Sequence, residues 1–259
     1  HDEVQDALEQ AAGAQLKYAQ LVLSVARECF PDDWKTIEPY LPTLASWVGY
    51  DLDGRTDIHW SQSVTLRLQE KAQQLQRYSN AIEAIENEHG QSSKLTKLNK
   101  YLERAAKQSH AHAERFSKDL SNEANLISAA NKLTGAPDDR LIDASAIIDR
   151  LNDIIDSADG DFALDLIALR SQVHALQLGT AKIHLRVNAA QVRTVINRDL
   201  GLETEDRTLG RLALAELSLK ARGSAPTEVN FADLLYEQST ARRQFMMCAQ
   251  FLKHIDSGS

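Results

Sequence analysis

Cysteine, proline, glycine and aromatic residues are all scarce in this 259-residue chain, and each scarcity excludes something. Two cysteines, Cys29 and Cys248, cannot build a disulfide framework, and no C-x-x-C pair offers a zinc or redox motif. "RECF" and "FMMCAQF" set both thiols beside apolar residues, which predicts buried free thiols in a reducing, cytoplasmic compartment. Eleven glycines and five prolines leave little for turn-rich β architecture. No apolar run approaches the roughly 18–20 residues that span a bilayer, and no secretory signal is visible. The net charge of −8 gives nucleic acid and anionic lipid no general attraction. The basic pairs Arg193/Arg198, Arg207/Arg211 and Arg242/Arg243 read as solvated helix faces.

What the chain has instead is Ala, Leu, Gln, Glu, Lys and Arg, with 43% hydrophobic residues, the composition of a helix-rich soluble protein with one large core or two small ones. Residue 1 is His and the methionines are Met246 and Met247, so the chain is expected to be a piece of something longer.

Apolar residues recur with helical spacing at Val4, Leu8, Ala11, Leu16, Ala19, Leu23 and Ala26. Pro31, Asp32 and Asp33 open a short second helix that Pro39 and Pro42 end. Residues 43–50, "TLASWVGY", read as a buried strand, and "DLDGRTD" as the loop after it. A long helix follows, with Leu68, Leu75 and Ile82 seven apart, stopped at His89-Gly90. From Ser92 or Ser93 a second stripe runs through Leu95, Leu98, Leu102, Ala105, Ser109, Ala113, Phe116, Leu120, Ala124 and Ile127 to Thr134-Gly135. Residues 60–133 therefore predict a long antiparallel helical hairpin with coiled-coil-like packing. A helix from Asp138 or Asp139 and another over 162–178 lead to "AKIHLRV" (181–187). There Ile183, Leu185 and Val187 alternate with Lys182, His184 and Arg186, a second strand. Helices over 189–199 and about 205–221, and a last one capped by Asn230 and running to His254, complete eight or nine. The whole is a single, mainly α region over 1–259 with two short strands, each followed by a helix, which predicts that the strands pair side by side and parallel.

The loop "DLDG" admits three readings. A phosphatase nucleophile loop of the D-x-D-G-T type would make Asp51 the nucleophile, but Arg55 stands where the threonine belongs, and the βαβ alternation is missing. A calcium loop needs Gly at the sixth position and Glu at the twelfth, whereas here Gly54 is fourth and Gln62 twelfth. A tight turn, with Asp side chains bonding nearby N–H groups, satisfies the local chemistry. The histidines form no metal constellation: His110 and His112 point apart on a helix, and His110/Glu114 is a lone i,i+4 pair.

"SWVGYDLDGRTDI" (46–58) resembles the S-W-M-G-G-D-R-D-G-N-P segment of phosphoenolpyruvate carboxylases, which closes a barrel strand before a helix. Trp47, Gly49, Asp51, Asp53 and Gly54 match, while Tyr50, Leu52 and Arg55-Thr56 depart. "IHLRVNA" (183–189) is similar to the family's L-D-I-R-Q-E-S strand. There Arg186 matches and His184, Val187, Asn188 and Ala189 depart. The resemblance implies a slice of an α/β barrel with its helical insertions, from a lyase that fixes carbon: phosphoenolpyruvate and bicarbonate become oxaloacetate, a tricarboxylic acid cycle intermediate, with Mg²⁺ or Mn²⁺. It implies that Arg186 helps hold substrate phosphate and that Trp47 walls an apolar pocket. Asp51, Asp53 and Gly54 would shape the loop. The family's F-T-A-H-P-T and G-R-G-G motifs are absent here, so the chain alone is expected to lack a complete catalytic set, to bind no metal itself, and to partner the rest of a parent chain. Strand edges without neighbours would favour self-association. The alternative is a helical scaffold or interaction module whose 60–133 hairpin is the working surface.

Overall fold

A computed structural model describes residues 2–51, 59–135, 140–200, 211–225 and 228–258. Among them are ten helices and one pair of two-residue strands. α1 (Asp2–Cys29) buries Leu8, Ala12, Ala19, Leu23 and Ala26 on one stripe. A single 3-10 turn, Trp34–Thr36, stands where a short helix was expected. β1 (Ala45–Ser46) precedes α2 (Trp60–His89), α3 (Ser93–Phe116), α4 (Glu123–Thr134), α5 (Ser145–Ile155) and α6 (Gly160–Leu176). β2 (Lys182–Ile183), α7 (Ala189–Leu200), α8 (Arg211–Gly223), α9 (Phe231–Tyr236) and α10 (Thr240–His254) complete the order.

The hydrophobic material divides into two cores. In the first, aliphatic residues of α1, α2, α3, α5 and α6 meet: Leu23, Leu75, Ile82, Leu98, Leu102, Leu151, Ile167 and Val173 are all buried there. α6 is its centre, with buried residues at successive positions from Leu166 to Leu169, the signature of a helix covered on nearly all sides. The second core is more aromatic. Trp60, Phe116, Phe231 and Phe251 pack with Leu68, Leu120, Leu126, Met247 and Ile255. Phe116 and Phe231 are 5.1 Å apart between ring centroids, and Tyr50 meets Phe251 edge-on at 6.1 Å.

α2 runs through both cores. Its seam residues Val64, Leu68, Lys71, Leu75, Tyr78, Ile82 and Ile85 are spaced alternately four and three apart, the coiled-coil interval, and all are buried. α3 answers with Leu95, Leu98, Leu102, Ser109 and Phe116. The expected antiparallel pairing of these two helices is present.

The expected hairpin over 60–133 is nonetheless cut short. Its second arm ends at Phe116, because 117–122 is "SKDLSN". The Asp119 carboxylate accepts from the Ser121 amide at 3.0 Å, and the Asn122 side chain accepts from Ala124 at 3.0 Å to start α4. Short polar side chains compete for backbone groups that a continuous helix would use. Leu120 stays buried, but Ile127 is 49% exposed, so the stripe loses its register at the break. The last helix is split likewise: Asn230 caps α9 with a capping box, as expected, but Ser239 starts a separate α10. α5 begins at Ser145, where the Asp143 carboxylate accepts the Ser145 amide. The expected start at Asp138 or Asp139 lies outside the described residues. Cys29 is exposed rather than buried: it is the last residue of α1, beyond the buried stripe that ends at Ala26. Cys248 is half-buried, and burial pushes its thiol up to about 11.

The two strands pair side by side and parallel, in the register Ala45↔Lys182 and Ser46↔Ile183. The Lys182 amide donates to the Leu44 carbonyl at 2.9 Å, and the His184 amide to that of Ser46 at 2.9 Å. Both are shorter than the 43–50 and 181–187 segments expected. After Ser46 the chain turns, closing Tyr50 N to Trp47 O at 3.0 Å, so the ladder has no partner to continue.

The packing makes a graded stability test. Leu75→Ala, at a fully buried seam position, should lower stability by about 2–5 kcal/mol. Ile127→Ala, at an exposed one, should change it by no more than about 0.5 kcal/mol. Urea denaturation of both variants checks the pair, and comparable losses would show that the stripe continues through α4.

Candidate functional site

The strand pair brings together residues that lie far apart in sequence. Trp47 follows β1 directly and is 44% exposed. The Arg186 guanidinium lies over its ring, 4.4 Å from the centroid, and the His184 ring meets it edge-on at 6.3 Å. Lys182, His184 and Arg186 are all exposed, while Ile183, Leu185 and Val187 between them are half-buried. The alternation read from the sequence is present, and it aims three basic side chains to one side. Arg186 forms no ion pair or hydrogen bond with any described residue. A guanidinium stacked on an indole keeps its N–H edges for an incoming anion, since the ring occupies only its face.

Asp51 is described and lies just after the turn; Asp53 and Gly54 lie outside the described residues. Gly49 has φ +86°, and a Cβ there would come 2.1 Å from Leu66 Cδ2, so the turn after Trp47 requires glycine at this position.

Directly behind the platform is a buried polar knot. Arg67 Nη1 donates to the Ala181 carbonyl at 2.8 Å and to Glu70 Oε2 at 3.2 Å, and Nη2 donates to Asp256 Oδ2. Arg67 and Asp256 expose no more than 1% of their side chains. Tyr50 donates its hydroxyl to Glu70 Oε2 at 2.5 Å, and Gln5 donates to Glu70 Oε1 at 3.1 Å. Gln244 donates to the Tyr50 carbonyl at 3.2 Å. One carboxylate–guanidinium cluster thus holds the residue that ends the β1 turn and the residue that opens β2. Gly179 permits this, since a Cβ there would sit 2.3 Å from the Arg67 guanidinium.

The charges in the knot follow from their surroundings. Burial opposes ionisation of Arg67, but the negative charges of Asp256 and Glu70 and the hydrogen bond to Asp256 outweigh it and hold the guanidinium above its ordinary value. Burial raises the Glu70 carboxyl, with Arg67 and the Tyr50 and Gln5 hydrogen bonds pulling the other way. Burial and the Glu70 charge raise Tyr50, so its hydroxyl stays a donor.

One helical turn on, Lys71 donates to the Leu141 carbonyl and, at 2.7 Å, to that of Ile255. Burial lowers its pKa to about 8. It lines a cavity of about 20 Å³ with His112, Arg140 and His254. Arg140 Nη1 lies 2.9 Å from His254 Nδ1, which fixes that nitrogen as an acceptor and the ring as neutral. Burial first, and then neighbouring cations, lower both His112 and His254 to about 4.

The sequence pattern did not single out Arg67, Glu70 or Lys71. A signal for Lys71 existed: the seam of α2 puts position 71 between Leu68 and Leu75. For Arg67 there was none, because its partner Asp256 is 189 residues away.

Glu88, His89 and Asp165 bring ligand-type atoms within 4.8 Å of one another, a grouping that the sequence spacing does not reveal. His89 Nε2 meets Asp165 Oδ2 at 2.8 Å, and Gln20 donates to Asp165 Oδ1 at 2.8 Å. Both oxygens of Asp165 are therefore engaged by protein, the pattern of a tie between α1, α2 and α6. His110 and Glu114 form the expected exposed i,i+4 pair at 3.6 Å. No helix among the described residues is long and apolar enough to cross a membrane. Comparison with known protein families, curated proteins and solved structures finds no match to this chain.

Buried His112 and half-buried His254 set an acid limit. Between pH 6.5 and about 4 the unfolded chain binds their protons and the folded chain does not, so stability falls as pH drops through that window. His112→Gln/His254→Gln should flatten the dependence of the urea midpoint between pH 7 and 4.5. An unchanged slope would show that the two rings take up protons in the folded state.

Proposed function

We propose that this chain is an internal helical region of a phosphoenolpyruvate-carboxylase-like enzyme, and that it supplies part of the site for the substrate phosphate. The observation that carries the reading is the parallel pairing of the two segments that bear the resemblance, which sets Arg186 on Trp47. Segments matched to two strands of one barrel are required to meet in this parallel orientation, and the contact of Arg186 with Trp47 follows from it.

In this reading Arg186 supplies a planar fork to two phosphate oxygens, and the ring of Trp47 excludes water from its face, strengthening the charge interaction. His184 and Lys182 add donors on the same side. Tyr50, which stands where the family has a second glycine, has a structural use here through Glu70.

Among the described residues, no group of metal-competent side chains that includes a neighbour of Arg186 fits the divalent metal that the resemblance implies. The described residues hold one group of three metal-competent side chains, Glu88, His89 and Asp165, and it ties helices of the first core rather than adjoining Arg186. Phosphoryl transfer to bicarbonate needs more cations than this platform offers, so the parent chain would supply the metal-binding acids and the remaining groups.

The test is an NMR titration of phosphoenolpyruvate into the wild-type chain and Arg186→Ala, following the Trp47 indole N–H and the amides of 182–187. Weak binding that shifts these signals, lost in Arg186→Ala, is expected, with no oxaloacetate formed by the chain alone. Equal binding by both proteins, or shifts confined to other surfaces, would remove Arg186 from the phosphate role.

A further inference from the structure

A second concentration of positive charge lies on the first core, away from the strand pair. On α3, Lys97, Lys100, Tyr101 and Arg104 share one face at helical spacings of three and four, and Lys94 stands one turn earlier. Opposite them, α5 contributes Arg150 and Asp153. Together these side chains line an open cavity of about 520 Å³ whose floor is Leu98 and Ile154. The chain as a whole carries a net charge of −8, so five cations around one cavity run against its average.

Lys94, Arg104 and Arg150 are held in place without being neutralised by any described residue. Lys94 Nζ donates to the Asp153 carbonyl at 2.8 Å, which ties α3 to the last turn of α5. The Arg150 guanidinium lies 4.0 Å from the centroid of Tyr101, and that of Arg104 lies 5.9 Å from it. One half-buried ring thus steadies two guanidiniums. Lys97, Lys100, Arg104 and Arg150 form no ion pair with any described residue, and Asp153 is the single acid in the lining. Neighbouring like charges on α3 repel by a few tenths of a kcal/mol per pair, a cost that an anionic ligand would turn into attraction. The volume suits a small molecule, and the negative surroundings disfavour a long polyanion such as nucleic acid.

We infer that this cavity binds a small multivalent anion carrying two or more phosphate or carboxylate groups, with Lys97, Lys100 and Arg150 as its principal ligands. Separate phosphates or carboxylates on one molecule can engage α3 and α5 together, which a monovalent anion cannot. The site is independent of the Arg186 platform: it rests on the first core, whereas Ile183 of β2 packs on the second.

Calorimetric titration of the intact chain with tripolyphosphate and with citrate, at matched ionic strength, tests this. Binding of at least one of them should weaken by at least about tenfold in Lys97→Gln/Lys100→Gln/Arg150→Gln and stay unchanged in Arg186→Ala. These positions are exposed, so the triple variant is expected to keep its urea midpoint. Tight tripolyphosphate alone would assign phosphate groups, and tight citrate alone carboxylates. Equal binding by wild type and triple variant, no binding beyond that of chloride at the same ionic strength, or stronger binding of a twelve-nucleotide single strand than of either probe would overturn the assignment.

Discussion

The pairing of Arg67 with Asp256 is the contact on which the arrangement of the strand pair depends. Both side chains are almost wholly removed from water, and neither charge is tolerable there without the other. Arg67 sits in the middle of α2, and Asp256 follows the end of α10. Their contact therefore closes the chain on itself, fixing its C-terminal helix against its central one. The guanidinium has a third obligation, the Ala181 carbonyl, and through it the entry to β2 is set. Glu70, one turn further along α2, performs the matching service for the β1 side by accepting from Tyr50. Two strands of two residues each have too little ladder to hold themselves, so this pair is held from behind.

The same knot explains why there are two cores and not one. Apolar residues fill α2 on either side of it: Trp60, Val64 and Leu68 toward the aromatic core, Leu75, Tyr78 and Ile82 toward the aliphatic one. Between them Arg67, Glu70, Lys71 and Gln74 are buried together. Ion clusters of this kind contribute little net stability compared with apolar packing, and what they add is geometric uniqueness. Here the uniqueness is spent at the surface, where a stacked arginine and tryptophan need a fixed spacing.

Much of the helical frame was legible in the sequence because it rests on local signals. Leu68, Leu75 and Ile82 announced α2, Gly90 its end, and Asn230 the start of α9, each through a contact within a few residues. The parallel strand pair was legible for a different reason: two punctuated apolar segments separated by helices have one common way to pair. The breaks at 117–122 and 237–239 were missed because the apolar spacing ran across them, while Asp119, Asn122 and Ser239 acted at shorter range. The knot was the least visible. "RLQEKAQQ" reads as a solvated helical turn, and its burial is decided by residues 50, 181 and 256, which spacing within α2 cannot reveal. The platform residues Trp47 and Arg186 were named from the resemblance and the alternation, but their stacking is a tertiary fact.

Hydrogen exchange at the Lys182 and His184 amides tests most directly whether the knot holds the strand pair. Both amides donate across the pair, to Leu44 and Ser46. In Arg67→Lys a charge remains, but a single ammonium cannot serve Asp256, Glu70 and the Ala181 carbonyl in the geometry of a guanidinium fork. These two amides should exchange at least about tenfold faster in the variant, while those of Leu166 to Leu169 in the centre of α6 keep their protection. Unchanged exchange at Lys182 and His184, or an equal acceleration at α6, would contradict this role of the knot.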